Sequence, residues 1–467
     1  MKSATLRIVT AASLFDGHDA AINIMRRILQ SKGVEIIHLG HNRGVQEIVE
    51  CAIEEDAHAI AITSYQGGHL EFFKYMKDLL NEAGCGHIKI FGGGGGTILP
   101  QEIEELHTYG IDRIYSPDDG RKLGLEGMIE DLIRCAGSAS ALNAYAQAPG
   151  NWHSDPPLHE AKDIRFIARA ITQVEAGEED HLKIPGQKSG AKIPVLGITG
   201  TGGAGKSSVT DELVRRFLNQ YPEKTIAVVS VDPSRKKTGG ALLGDRIRMN
   251  AIAHPRAYMR SMATRDDHVA LSGAIQKAID VCKAAAFDLI ILESAGVGQS
   301  DASIVDHVDA GMYVMTPEYG AASQLEKINM LDYADIICIN KFDKAGALDA
   351  LMEVRKQYRR NHQLWQEPDE ALPVIGTIAA KFNDQGVNAL FQKIIQVLNV
   401  KCAAGFDEII SFQGAAPTER AIIPGKRVRY LSDISESIRL YNQWADEKAA
   451  VATKLYQLDG VIKSCNL

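Results

Sequence analysis

The sequence predicts an α/β protein with two doubly wound, parallel-sheet domains and helical linkers. Short apolar runs alternate with amphipathic helical patterns over residues 1–137, and a second series of the same kind covers residues 191–405. Between the two series, residues 136–158 are rich in Ala, Ser, Asn and Pro, which is typical of a linker. Strands that alternate with helices imply parallel sheets, whose ligands bind at the carboxyl ends of the strands.

Composition narrows the class of protein. The chain has 467 residues, 45% apolar and 24% charged, which is enough for about three globular domains. Its net charge of −8 gives no general attraction for nucleic acid or for an anionic membrane, and we expect neither as a partner. The sequence has no secretory signal and no run of ~18 apolar residues, which predicts a soluble protein. Seven cysteines without a CxxC pair favour a reducing compartment and a cytoplasmic location.

The first series is predicted to form a domain over residues 1–137. Its strand-like runs are 6–12, 34–40, 59–64, 87–96 and 112–116. Helical periodicity is found at 20–33, 46–56, 70–84, 100–110 and 123–137. Residues 138–190 are predicted to be a linker that contains one helical arm, at 161–177.

The second series is predicted to form a domain over residues 191–405. Its strand-like runs are 193–200, 225–232, 287–294, 310–317, 335–341 and 373–379. Residues 406–467 contain a basic stretch and then a helical pattern, which predicts a helical segment beyond this domain.

A phosphate-binding loop is the strongest functional signal. Residues 200–207 read Gly-Thr-Gly-Gly-Ala-Gly-Lys-Ser and match G-x-x-x-x-G-K-[ST] between a predicted strand and a predicted helix. Glycines let backbone N–H groups surround phosphate oxygens, the lysine reaches the β- and γ-phosphates, and the serine hydroxyl binds Mg²⁺. The alternative is a Gly-rich turn with a chance lysine. The predicted phosphate-binding residues are Gly202, Gly203, Ala204, Gly205, Lys206 and Ser207.

A second motif points to the base of the nucleotide. Asn340, Lys341 and Asp343 match NKxD at the end of a predicted strand. A carboxylate at the last position accepts hydrogen bonds from the N1 and N2 donors of guanine, and adenine presents a different edge. The motif therefore favours GTP over ATP, with a surface loop as the alternative.

Acidic residues at strand ends are candidates for a metal site. Glu293 and Asp232 each end a predicted strand, and Asp245 lies in a Gly-rich segment with Arg248 close behind it. Carboxylates suit Mg²⁺, and the arginine can meet phosphate charge. Strand-end capping is the alternative for the two strand-end residues.

The second domain resembles a family of G proteins. Residues 231–249, VDPSRKKTGGALLGDRIRM, and 293–301, ESAGVGQSD, resemble the G-protein chaperones of cobalamin-dependent acyl-CoA mutases. The resemblance implies that Arg248 contributes to the GTP site and that the loop after Pro317 is a switch that changes conformation. Gln324 and Lys327 are the candidates within that switch to act with Lys206 in hydrolysis. The residues that the resemblance assigns to Mg²⁺ are Ser207, Asp232, Asp245 and Glu293.

The first domain resembles flavodoxin-like cobalamin-binding domains. Asp16-Gly17-His18 follows the first strand and resembles their DxHxxG signature, although Ala21 stands where the signature has glycine. The resemblance implies that His18 ligates cobalt in place of the cofactor's own benzimidazole. Imidazole is a good transition-metal ligand, and Asp16 can hold its other nitrogen. By the same resemblance, Ser64 contacts the displaced nucleotide tail, and Gly92 and Gly93 make room for it.

The order of the domains resembles fused members of the mutase family, which continue into a (β/α)₈ barrel that binds acyl-CoA. The implied cofactors are adenosylcobalamin and Mg²⁺, with GTP as substrate. The implied partners are GTP or GDP, a mutase barrel in the same or another chain, and a second copy in a homodimer. A barrel needs about 250 residues, so we expect this chain alone not to catalyse the mutase reaction.

Two other functions compete with this interpretation. The first domain could be a cobalamin-binding sensor or transport module that signals through the GTPase, without mutase chemistry. Alternatively, it could be a receiver domain, which needs an acidic cluster at the strand ends; the Asp16–His18 pair and five glycines fit that poorly.

Overall fold

The computed structural model describes residues 5–147, 163–177, 192–235, 237–264, 268–294, 303–320, 325–326, 328–407 and 430–465. Residues 1–409 form one compact unit and residues 410–467 form a second. The strands are β1 (Arg7–Ser13), β2 (Glu35–Arg43), β3 (Ala59–Thr63), β4 (Lys89–Gly93), β5 (Arg113–Tyr115), β6 (Val195–Gly200), β7 (Ile226–Pro233), β8 (Ala241–Leu243), β9 (Ala257–Thr264), β10 (Leu289–Ser294), β11 (Ala310–Met315), β12 (Ile336–Asn340) and β13 (Val374–Thr377). The helices are α1 (Asp19–Ser31), α2 (Val45–Glu54), α3 (His69–Glu82), α4 (Pro100–Tyr109), α5 (Pro117–Ala136), α6 (Ala139–Gln147), α7 (Ile164–Ala176), α8 (Lys206–Gln220), α9 (His268–Ala284), α10 (Met330–Tyr333), α11 (Ala347–Asn361), α12 (Gln385–Cys402) and α13 (Tyr430–Cys465).

The first unit contains two parallel sheets. The N-terminal sheet has the strand order β5-β4-β3-β1-β2-β8, and the C-terminal sheet has the order β13-β12-β11-β6-β10-β7-β9. The strand order reverses beside β1 in one sheet and beside β6 in the other. Both reversals create a crevice at the carboxyl ends of the strands, where doubly wound sheets bind ligands. The predicted fold class is confirmed.

The central strands are buried on both faces, as parallel sheets require. In the N-terminal sheet, Val9 and Ile60 face one apolar core, and Ile8 and Phe91 face the other. Because alternate residues of a strand point to opposite faces, a run without polar interruptions covers both cores.

Two strands were not predicted from the sequence. β8 lies in the Gly-rich segment after β7 and is the sixth strand of the N-terminal sheet, where it pairs with β2 in parallel. β9 is the edge of the C-terminal sheet and pairs with β7. β8 has three residues, and the chain that it pairs with is about 200 residues away. β9 carries the buried polar side chains Arg260 and Ser261, which interrupt its apolar pattern.

The region predicted as a linker contains two helices. α7 agrees with the predicted helical arm, but α6 lies where we expected no helix. Its sequence ASALNAYAQ has strong helix propensity because of its alanines. The Tyr145 hydroxyl donates to Asp56 Oδ2 at 2.6 Å, and its ring stacks on His58, which fixes α6 against the N-terminal sheet.

A buried cluster of charges joins the two sheets. Arg7 on β1 contacts Glu35 at 2.9 Å, Glu55 at 3.3 Å and Glu175 of α7 at 3.2 Å. Glu175 also binds Arg260 of β9 at 2.6 Å. Burial alone would lower the pKa of Arg7, but the three carboxylates raise it above its ordinary value. The N-terminal sheet, α7 and the C-terminal sheet are therefore packed through one ionic network.

The second unit contains the helix α13, in the region where a helical segment was predicted. It has 36 residues. Across the described ranges, helices are either too short or too polar to cross a lipid bilayer.

Candidate functional site

The phosphate-binding loop lies between β6 and α8, as predicted. Gly200 ends the strand, and a side chain there would collide with the carbonyl oxygen of Val314 on β11. Gly205 precedes the first residue of α8 with φ +90°, a conformation that favours glycine. The loop therefore passes close to its neighbours and presents its N–H groups at a helix N-terminus, where anions bind.

The NKxD segment is bonded to this loop. Asn340 Nδ2 donates to the Ala204 carbonyl oxygen at 2.8 Å, and Lys341 Nζ donates to that of Gly203 at 2.8 Å. Asn340 Oδ1 accepts from Thr377 Oγ1 at 3.2 Å and from the Ala379 amide at 3.1 Å. The predicted phosphate and base motifs thus form one hydrogen-bonded structure.

Asp343 lies just beyond this anchor. Its side chain is exposed to solvent. Phe342, before it, packs against Gly376, where an added Cβ would lie 2.5 Å from the ring. The carboxylate of Asp343 is therefore accessible to a ligand while its backbone is held in place.

Ser207 joins two of the predicted metal-binding carboxylates. Its Oγ lies 3.0 Å from Asp245 Oδ1 and 3.0 Å from Glu293 Oε1. Glu293 Oε2 also accepts from Thr210 Oγ1 at 2.9 Å, and Asp245 Oδ2 accepts from Ser230 Oγ at 2.9 Å. Two hydroxyl groups near the start of α8 therefore contact the carboxylate of Glu293 at the end of β10, next to the phosphate-binding loop.

The electrostatics of this cluster fit a divalent cation. Burial raises the pKa of Asp232 to about 8, with help from the charges of Asp245 and Glu293. Burial and Asp245 raise the pKa of Glu293 to about 7. Asp232 Oδ2 is buried without a hydrogen-bond partner within the described structure. A cation would satisfy this oxygen and relieve the repulsion.

The protein side chains do not form a complete metal site by themselves. Among the described residues, no group of three or more His, Cys, Asp and Glu side chains is arranged as a metal centre. Mg²⁺ retains several waters and binds through one or two carboxylates together with substrate phosphates. The residues present fit a cation of that kind, which completes its coordination with nucleotide and water.

Two basic side chains lie at the mouth of the loop. Lys206 Nζ donates to the Gly200 carbonyl oxygen at 3.3 Å, and burial lowers its pKa while the nearby carboxylates oppose this effect. Arg248 is exposed at the end of a short 3₁₀ turn, Asp245–Arg248, and its charge also lowers the pKa of Lys206. Both cations therefore lie close to the predicted phosphate-binding loop.

Some contacts in the cluster were missed from the sequence, and some predicted residues lie outside the described range. Thr210 follows Ser207 by three positions, so helical spacing places both side chains on one face of α8. That spacing could have predicted that Thr210 is part of the cluster. Ser230 and Thr377 gave no comparable signal. Gln324 and Lys327, the predicted switch residues, lie outside the described residues.

In the N-terminal domain, Asp16 organises the segment after β1. Its Oδ1 accepts from the His18 amide at 2.9 Å and from His18 Nδ1 at 2.8 Å, and its Oδ2 accepts from the Tyr65 amide at 2.6 Å. Burial raises the pKa of Asp16, but the hydrogen bonds from Tyr65 and His18 hold it below its ordinary value. Because an ionised Asp16 accepts from Nδ1–H, the neutral tautomer of this exposed imidazole has its lone pair on Nε2, the atom available to a metal.

A cleft opens beside this pair, at the carboxyl ends of β3 and β4. Its volume is about 180 Å³, and its lining is mostly apolar. Gly92 and Gly93 line it, and a side chain at Gly94 would collide with the carbonyl oxygen of Ser64. Ser64 itself is buried and accepts from Ser13 Oγ at 2.9 Å. Thr63, which also lines the cleft, has a buried Oγ1 without a partner in the described structure.

Two protein families match this chain. The family described as "B12 binding domain" matches residues 6–120, which contain the Asp16–His18 segment and the cleft. The family described as "Methylmalonyl Co-A mutase-associated GTPase MeaB" matches residues 167–414, more than half of the chain, and this range contains the nucleotide-site cluster.

Curated relatives match nearly the whole chain. A protein named fused isobutyryl-CoA mutase from Geobacillus kaustophilus is 52% identical over 98% of this chain. A protein of the same name from Cupriavidus metallidurans is 53% identical over 97% of it. This chain spans 42% and 41% of the lengths of these two relatives. Among solved structures, one described as a LAO/AO transport system kinase is 22% identical, covers 62% of this chain and 84% of its own, and has a TM-score of 0.38.

These findings agree with the geometry of both sites. The B12-binding family covers the domain with the histidine and the cleft, and the GTPase family covers the domain with the phosphate-binding loop. The chain belongs to the family of methylmalonyl-CoA mutase-associated GTPases, MeaB, and joins that GTPase domain to a B12-binding domain as the N-terminal part of fused isobutyryl-CoA mutases does.

Proposed function

We propose that this chain is a Mg²⁺-dependent GTP hydrolase that carries adenosylcobalamin for an acyl-CoA mutase. In this role, GTP binding and hydrolysis control the loading of intact cofactor and protect it. The observation that carries the proposal is the convergence of Ser207, Asp245 and Glu293 beneath a phosphate-binding loop that is bonded to Asn340.

The chemistry is in-line attack of water on the γ-phosphorus of GTP. The bond to the β–γ bridging oxygen breaks, and GDP and inorganic phosphate leave. Lys206 and Arg248 neutralise charge on the phosphates, and the loop amides hold them in place. Mg²⁺, held through Ser207 and the nearby carboxylates Asp232, Asp245 and Glu293, supplies further charge stabilisation. Gln324 and Lys327 are proposed to order the attacking water.

The base is read by Asp343. Its exposed carboxylate accepts from N1–H and N2–H of guanine, and the Asn340 and Lys341 bonds to the loop fix its distance from the phosphates. Adenine offers an acceptor at N1, so an ionised carboxylate there disfavours ATP.

The cofactor is proposed to bind through His18 Nε2 at cobalt, with Asp16 orienting the ring through Nδ1. The displaced nucleotide tail is proposed to enter the apolar cleft beside β3 and β4, which Gly92, Gly93 and Thr63 line. Ser64, which is buried directly after β3, is proposed to contact the tail. When bound, adenosylcobalamin supplies radical chemistry to the mutase. This chain's residues hold it and exclude water.

The proposed partner is a mutase barrel, in the same polypeptide or in another chain. The relatives' name suggests the interconversion of isobutyryl-CoA and n-butyryl-CoA as the reaction of the assembled enzyme. A homodimer is part of the proposal, and α13 supports it with exposed apolar side chains such as Tyr441, Leu455 and Ile462. Seven unpaired cysteines favour a reducing compartment, and we propose the cytoplasm.

Turnover of GTP and ATP, measured separately with and without Mg²⁺, tests the catalytic half of the proposal. We expect hydrolysis of GTP alone, dependence on Mg²⁺, and loss of turnover in Lys206→Ala. Equal use of both nucleotides, or turnover that survives Lys206→Ala, would overturn it.

A further inference from the structure

A segment of the GTPase domain is built onto the edge of the cobalamin-binding sheet. We call residues 238–247 the bridging segment. Within it, β8 pairs with β2 from Glu35↔Ala241 to Ile37↔Leu243. Ahead of the strand, Thr238 Oγ1 donates to the Gln30 carbonyl oxygen at 3.3 Å. The backbone of one domain therefore continues the sheet of the other.

The bridging segment is also closely packed against β2 beyond the strand pairing. Arg43 Nη2 donates to the Ile247 carbonyl oxygen at 3.2 Å. An added Cβ at Gly40 would lie 2.7 Å from the Ile247 side chain, and one at Gly240 would collide with the Gln30 carbonyl oxygen. Such contacts leave the segment little freedom to move independently of the cobalamin-binding sheet.

Two adjacent residues near the C-terminal end of the segment have different partners. Asp245 accepts from Ser207 and Ser230 in the nucleotide site. Its neighbour Arg246 is buried, forms an ion pair with Glu54 at the end of α2, and donates to the Met259 carbonyl oxygen at 2.9 Å.

Besides its own hydrogen bonds from Ser207 and Ser230, the position of Asp245 depends on the residues beside it in the chain. It lies at the start of a 3₁₀ turn of four residues, Asp245–Arg248, which is too short to be rigid by itself. Glu55, the residue after α2, lies 3.4 Å from Arg246 Nε, so the end of this helix places two carboxylates beside the guanidinium. The orientation of Arg246 is therefore set mainly by the cobalamin-binding domain.

We propose that Glu54 is a positioning residue for the Mg²⁺–nucleotide site, and that it acts through Arg246 on Asp245. The proposal rests on the proposed GTPase function. A metal ligand must be held within a few tenths of an ångström, and loss of the groups that orient a ligand weakens metal binding by 10–100-fold in other sites. Glu54 does not contact Asp245 directly, because Arg246 lies between them. We therefore expect its loss to weaken Mg²⁺ binding by about tenfold, the lower end of this range.

Glu54→Gln tests the positioning role, with Glu50→Gln as the matched control. Glu50 lies one turn earlier on α2, is exposed, and accepts from Gln46 Nε2 within the same helix. The first readout is the affinity of the whole chain for a fluorescent analogue of guanosine diphosphate, measured over a range of Mg²⁺ concentrations. The second is the thermal midpoint without nucleotide, which detects a variant that fails to fold.

Mg²⁺ is expected to increase the affinity for the nucleotide. We expect Glu54→Gln to raise the Mg²⁺ concentration that gives half of this increase by about tenfold. Nucleotide affinity without Mg²⁺ should stay within twofold, and Glu50→Gln should match the wild type. Arg246→Lys keeps the positive charge but loses the planar guanidinium and its several N–H donors. It should therefore reproduce the Glu54→Gln result.

An unchanged Mg²⁺ dependence in Glu54→Gln and Arg246→Lys, with or without a lower thermal midpoint, would overturn the proposal. Hydrolysis is measured alongside. A wild-type chain that binds the nucleotide with Mg²⁺ but does not hydrolyse GTP would contradict the proposed function. The Mg²⁺ dependence of nucleotide affinity would still test the positioning role of Glu54 in that case.

Discussion

Asn340 Nδ2 donates a hydrogen bond to the carbonyl oxygen of Ala204 at 2.8 Å. This bond joins the segment that reads the base to the loop that binds the phosphates. It explains why residue 205 is glycine, because an added Cβ there would lie 2.5 Å from Asn340 Nδ2. The distance between base and phosphate recognition is thus fixed before a nucleotide binds, which lowers the entropic cost of binding.

Nucleotide selectivity should follow residue 343. Asp343→Asn replaces an acceptor by an amide, which can pair with the 2-oxo group of xanthine and no longer pairs twice with guanine. A bidentate contact to a base contributes about 1–3 kcal/mol, so we expect affinity for GTP to fall by about 10–100-fold and xanthosine triphosphate to become the better ligand. Asp349→Asn, an exposed change at the start of α11, is the control. Unaltered preference for GTP would be evidence against base reading by Asp343.

The metal site should release protons when it is filled. Without a cation, Asp232 and Glu293 have pKa values of about 8 and about 7, so both are partly protonated near pH 7. Mg²⁺ favours the ionised carboxylates, so its affinity in the presence of nucleotide should rise as pH increases from about 6.5 to 8.5. Calorimetry in two buffers of different ionisation enthalpy measures the protons released.

Asp232→Asn is the variant for this measurement. It removes one titrating group and should reduce the proton release at pH 7.5. Mg²⁺ binding without proton release in the wild type, at every pH in this range, would show that the carboxylates are not ligands.

The glycine run after β4 should tolerate alanine unevenly. Gly94→Ala places a methyl group against the Ser64 carbonyl oxygen, whereas Gly96→Ala meets nothing within 4 Å. Overpacking of this kind costs about 1–3 kcal/mol, and here it would distort the cleft between β3 and β4. We expect Gly94→Ala to weaken adenosylcobalamin binding and Gly96→Ala to leave it unchanged, as followed by equilibrium dialysis. Equal effects of both would argue against the cleft as the binding site.

The ionic cluster between the sheets should contribute strongly to stability. Arg7→Met removes a cation that pairs with three buried carboxylates, of which Glu175 keeps its pair with Arg260. Removal of one partner of a buried pair costs about 3–5 kcal/mol, so the first urea transition should move to much lower concentration. Lys32→Met, which breaks the surface pair with Glu130, should change it little. Similar transitions for the two variants would contradict this account.

The sequence was sufficient where local pattern decides the structure. The apolar runs at residues 6–12 and 59–64 correspond closely to β1 and β3, because buried parallel strands have few polar interruptions. The phosphate-binding motif lies between a strand and a helix as predicted, since its glycines and lysine carry their own conformational requirements.

The sequence was insufficient where the partner of a segment is distant. β8 is a strand only because β2 offers a free edge, and Ala-Leu-Leu has no strand signature of its own. Nothing in the Gly-rich segment around Arg246 predicts that this side chain is buried against Glu54 of α2. Polar residues that are satisfied by a second domain cannot be distinguished from exposed ones in a single sequence.

The absorption spectrum of the chain with adenosylcobalamin tests the central claim most directly. We expect the spectrum of the base-off, histidine-bound cofactor for the wild type and for His41→Ala, which changes an exposed histidine on β2. His18→Ala should lose that spectrum. A histidine-bound spectrum that persists in His18→Ala, or a wild-type chain that binds no cobalamin at all, would contradict the account.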